Sequence, residues 1–176
     1  MRHVQQAWQA AQRILETEKV KRAPVDVDKI ARRYAKIQRR PLGEEISGML
    51  IPVDDSWVIV VNEDHPEVRQ RFTVAHELAH IVLHGYKTPH ADRGFIVRFR
   101  NQLSTTGKEI EEIQANEFAA ALLMPRELLQ QHLVDMRYEY DATSDTDDSP
   151  QLREVAKAFN VSRQALSLRL GAFGVA

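Results

Sequence analysis

The chain has 176 residues, enough for one good core and a small appendage. Its 24 Lys/Arg nearly balance 25 Asp/Glu, so no global basicity argues for a nucleic-acid binder. It has no cysteine, no apolar run after its N-terminal charges and no stretch of membrane-spanning length, which excludes disulfides and thiolate metal sites and leads us to expect a cytoplasmic protein without signal peptide or membrane contact.

Residues 4–18 read as an amphipathic helix with Trp8, Ala11 and Leu15 on its packing side. The first 40 residues are basic, with eleven Lys/Arg against four acids. Pro24-Val25-Asp26-Val27-Asp28 leads into a second helix expected over 29–37, with Val27, Ile30, Ala31 and Tyr34 facing inward. Residues 46–51 and 56–61 are β-rich runs joined by a turn at 52–55, a hairpin suited to pack on the helix that follows. One hairpin edge could offer backbone groups to an extended peptide. Gly48 marks either a close approach or a kink or bulge.

The next segment is Arg71-Phe72-Thr73-Val74-Ala75-His76-Glu77-Leu78-Ala79-His80-Ile81-Val82-Leu83-His84. Asp64 fits a helix cap and Pro66 a first turn. His76 and His80 are four apart, so on a helix their side chains share a face, about 6 Å apart at Cβ, and two imidazoles can close on one ion. Glu77, beside the first histidine, can hold the water that such an ion acidifies. The motif is short, but its neighbours Phe72, Ala75, Leu78, Ala79, Ile81 and Val82 make the helix a buried one. Two histidines and a glutamate there would be expensive without partners, which a metal provides. His84 lies eight residues beyond His76, about 12 Å along a helix. It is therefore expected to support the site from behind rather than to bind the same ion.

Gly85 is expected to end this helix. Residues 86–108 are polar, with His90 in a loop after Pro89 and one β-like run at 95–99 carrying Arg98 and Arg100 on one side. A second strong helix, 111–125, is stopped by Pro125. Its candidates for a third ligand are Glu109, Glu111, Glu112 and Glu117. Glu112 and Asn116 share a face, so that one could bind metal while the other orients a ligand histidine. Residues 126–137 read as a helix with Leu128, Leu129, Leu133 and Met136 inward. His132, Tyr86, Tyr138 and Tyr140 are candidate oxyanion donors among which no spacing rule selects. Residues 139–149 hold five acids and no base and read as an acidic flexible linker; they lack the glycine and closing glutamate of a calcium loop. Residues 150–171 form a helix pair resembling a helix-turn-helix, with Ser162 as cap and Arg163, Gln164, Ser167 and Arg169 on the second helix. Packing outweighs DNA reading there, because a DNA-reading unit wants a third helix and more positive charge.

The two motifs together, R-F-T-x-A-H-E-L-x-H-x-x-L-H and E-x-x-A-N-x-F-A-A-x-L-L-M-P, resemble the ImmA/IrrE metallopeptidases over residues 25–125, and more weakly to 171. The resemblance implies an α+β fold, a small thermolysin-like zincin with a short sheet packed on the H-E-x-x-H helix and a C-terminal helix pair behind it. It divides the chain into a peptidase domain (1–138), the linker (139–149) and the helix pair (150–176). It places metal ligands at His76, His80 and Glu112, the general base at Glu77, and Asn116 behind a ligand histidine, while the supporting role of His84 rests on its spacing alone. It implies Zn2+, with Mn2+ or Fe2+ as other cations suited to the same donors. Its implied activity is metal-dependent endopeptidase cleavage of a protein partner, a helix-turn-helix repressor, in stress response or gene transfer. The alternative is a toxin-like or regulatory half of a two-gene toxin–antitoxin module that acts by binding without general proteolysis.

Overall fold

The structure, a computed structural model, describes residues 2–85, the backbone of 90–92, and residues 107–136 and 150–173. The run 95–99 with Arg98 and Arg100, the tyrosines 86, 138 and 140, and the acidic stretch 139–149 lie outside the described residues.

The first helix, α1 (Arg2–Thr17), buries Ala7, Ala10, Ala11, Ile14 and Leu15 as one stripe at helical spacing. That stripe lies along α4 (Gly107–Leu123), and three alanines in it allow the two axes to approach closely. The helix expected over 29–37 is a different object. Only α2 (Val27–Ala31) is helical, capped by the Asp26 carboxylate, which accepts from the Lys29 N–H. Residues Ala35–Arg40 form a strand, β1, because Ala35 and Ile37 pair in register with Trp57 and Ile59. Tyr34, expected inside, is 40% exposed in the turn between them.

The hairpin is present as β2 (Gly48–Val53) and β3 (Ser56–Asn62). The sheet order is β1-β3-β2-β4, with β4 the short strand His90–Asp92. β1 runs parallel to β3; the other pairs are antiparallel. Both hairpin strands are thus interior. The expectation of a free hairpin edge is narrowed, since β1 covers β3 and β4 covers β2 over Gly48–Leu50, so that among the described residues only Ile51–Val53 of β2 have no strand paired on that side. β3 reads as an unbroken buried run, Val58-Ile59-Val60-Val61-Asn62, as a strand covered on both sides should.

The sheet packs on α3 (Glu67–Ala79), which continues into a π-helical turn at His80–His84. Pro66 takes the cap position without a side-chain bond, and Asp64 instead donates its N–H to Asn62 Oδ1, so the expected Asp64 cap is not formed. After α4 come α5 (Arg126–Asp135), α6 (Pro150–Phe159) and α7 (Arg163–Phe173). Leu152, Val155, Phe159, Leu166 and Leu170 of the last two join the same hydrophobic core as α1, α3 and α4. Arg71 of α3 donates to the carbonyls of Asn160, in the α6–α7 turn, and of Val25, and Asn160 Nδ2 donates back to Glu67 Oε1. No helix among the described residues is long and apolar enough to cross a membrane.

Candidate metal centre

Residues 72–80 are all buried, so α3 runs through the core with Phe72, Val74, Ala75, Leu78 and Ala79 packed around its polar face. That face carries His76, 2% exposed, and Glu77 and His80, each fully buried. α4 crosses α3 and contributes Glu112, Gln114 and Asn116. The Nε2 atoms of His76 and His80 are 3.1 Å apart. Glu112 Oε2 lies 3.3 Å from His76 Nε2, and Oε1 lies 3.6 Å from His80 Nε2. Behind His76, its Nδ1 is 3.1 Å from Asn116 Oδ1. An amide oxygen accepts, so the His76 proton sits on Nδ1 and the lone pair of Nε2 points at the other donors.

These donors test the metal expectation directly. An imidazole lone pair, a second ring nitrogen and a carboxylate facing one point repel each other unless a cation lies among them. Two nitrogens at 2.0–2.1 Å from one tetrahedral ion stand about 3.3 Å apart, close to the spacing observed. His76, His80 and Glu112 therefore form a cluster able to coordinate a divalent cation, their ligand atoms all within 4.8 Å of one another. Glu77, next along the helix, lies against Gly48 of β2, and a methyl group added at that glycine would stand 3.4 Å from Glu77 Oε1. Gly48 keeps regular pairing with Val61, so it marks a close approach and not a bulge.

The π-helical turn sets His84. Gly85, at φ 57°, closes the turn with its N–H on the His80 carbonyl, 3.1 Å away. His84 Nδ1 comes 3.0 Å from His80 Nδ1, and His84 Nε2 comes 3.3 Å from Gln114 Oε1. Burial holds the His84 pKa below its ordinary value and outweighs the opposing pull of the Gln114 bond and of Glu111 and Glu112. Gln114 had escaped the sequence reading. The signal for it was its spacing to the buried Phe118 and Ala121, which puts an amide at a core position that needs partners.

The other candidates go elsewhere. Glu117 accepts from Trp8 Nε1 at 2.7 Å, tying α4 to α1. Glu111 is half-buried and Glu109 exposed, and neither belongs to the three-donor cluster. His132 stacks edge-on against Phe159 of α6, with ring centroids 5.7 Å apart. Of the residues considered for DNA, Arg169 is corrected: it is 6% exposed, donates to the Met124 carbonyl, and its guanidinium lies over the rings of Trp8 and Phe173. Burial lowers its pKa to about 10. Arg163 and Gln164 are exposed, and Ser162 Oγ accepts from the Ala165 N–H as an N-terminal cap.

No curated protein matches the sequence. Residues 18–171 match the profile of a peptidase family described as the IrrE N-terminal-like domain, and this span contains the whole three-donor cluster and Glu77. A match over so much of the chain, around donors arranged for a cation, settles the kinship: the protein belongs to the IrrE N-terminal-like family of metallopeptidases.

Proposed function

We propose that His76, His80 and Glu112 hold a zinc ion, that Glu77 is the general base, and that the protein cleaves a peptide bond in a helix-turn-helix transcriptional regulator in the cytoplasm. The observation that carries the reading is the convergence of three donors from two helices beside a buried carboxylate. When bound, the cation supplies Lewis acidity, polarising the scissile carbonyl and acidifying water. Glu77 takes a proton from the attacking water and returns it to the leaving amine. Gly48 leaves room for Thr73 of α3, one turn before Glu77, to pack close against the sheet. Asn116 holds His76 in the protonation form that turns Nε2 toward the cation, and does so as a neutral amide. The choice of a regulator as substrate is supported by family membership together with the paired motifs.

The test is zinc-loaded protein incubated with helix-turn-helix regulators from the same source, with fragments read by mass. Glu77→Gln should lower kcat by about 10²–10⁴-fold with zinc content unchanged, whereas His80→Ala should lose both zinc and cleavage. Wild-type turnover by the Glu77→Gln protein defeats the assignment. Tight binding of the regulator with no fragments at any zinc load defeats the peptidase reading and leaves a binding module.

A further inference from the structure

The family profile begins at residue 18, so α1 lies outside it. α1 nevertheless supplies acceptors behind the metal cluster. A backbone carbonyl can only accept a hydrogen bond. Gln114 therefore turns its Nε2 toward the His3 carbonyl, 3.2 Å away, with Gln6 Oε1 at 3.3 Å, and its Oε1 faces the other way. That Oε1 meets His84 Nε2, and an amide oxygen only accepts, so the His84 proton sits on Nε2. The remaining nitrogen, Nδ1, is then an acceptor, 3.0 Å from His80 Nδ1, which must donate to it. With its proton on Nδ1, His80 presents the lone pair of Nε2 on the side of His76 and Glu112.

We infer that α1 sets the tautomer of the ligand His80: the His3 carbonyl fixes, through Gln114 and then His84, which ring nitrogen faces the cation. The inference rests on the reading of His80 as a ligand through Nε2. Gln114 and His84 are positioning residues, because both act through His80. His76 reaches the same tautomer in one step, from Asn116 on α4. One ligand is thus oriented from within the family's matched span and the other from a helix outside it.

The test uses the full chain loaded with zinc and labelled with 15N at histidine. Long-range 1H–15N correlations report which nitrogen bears the proton, and chelator competition reports zinc affinity. The wild-type spectrum should show His84 protonated at Nε2 and His80 at Nδ1. Gln114→Leu should weaken zinc binding about 10–100-fold and release the His84 proton to both nitrogens. His3→Ala keeps the carbonyl and should bind zinc as the wild type does. A wild-type His84 protonated at Nδ1 overturns the inference, whatever the variants do. So does a folded Gln114→Leu protein with wild-type affinity. Failure of the wild type to bind zinc at His76 and His80 would instead remove the ligand assignment itself, and this inference with it.

Discussion

A methyl group on Gly48 would run into Thr73 Cγ2 and stand 3.1 Å from the Val60 carbonyl. Gly48→Ala should therefore cost about 1–3 kcal/mol, as overpacking does, seen as a lower Tm. His84 carries a pH dependence. Its native pKa is held below 6.5, so near and below pH 6.5 the unfolded chain binds a proton that the native state refuses. Stability should fall as pH drops through about 6.5 and be recovered above it. Urea melts at pH 8 and pH 6, in the absence of added metal, should show a smaller drop for His84→Gln than for the wild type. At this scale His76, Glu77 and His80 were legible because a helix turns sequence spacing into geometry. Gln114 was not, because the acceptor that orients it lies 111 residues away.

Elements whose character is local were legible in the same way. The hairpin strands showed in their β-rich runs and the turn between them, and α4 in its apolar length and terminal proline. β1 was not, because Lys36, Gln38, Arg39 and Arg40 carry little strand signal, and pairing with β3 decides the matter. The π-helical turn was equally hidden, since nothing in Ile81-Val82-Leu83 announces the extra residue that it accommodates. Gly85 did announce an end. Its left-handed backbone closes that turn, so Gly85→Val should cost about 1–2 kcal/mol. Gly85→Asn should cost less, because asparagine visits this region more readily. Thermal unfolding of both proteins checks the order.

Across the whole molecule the C-terminal helix pair is held by a few directed bonds as well as by apolar packing. Arg71→Met would leave the carbonyls of Asn160 and Val25 without that donor and should cost about 2–4 kcal/mol. Calorimetry would show it as a lowered Tm, and unchanged stability would deny the clamp any weight. No sequence pattern pointed to this clamp, which joins residues 46 and 89 positions apart. The α1–α4 pairing reaches further still, with Trp8 and Glu117 separated by 109 residues. A ribosome adding roughly 5–20 residues each second leaves the alanine stripe of α1 uncovered for several seconds before α4 emerges. His76 and His80 likewise emerge ahead of Glu112. On the proposed reading, a nascent chain cannot cleave anything until its own translation has passed α4, and α1, although made well before α4, must wait for it to find its place.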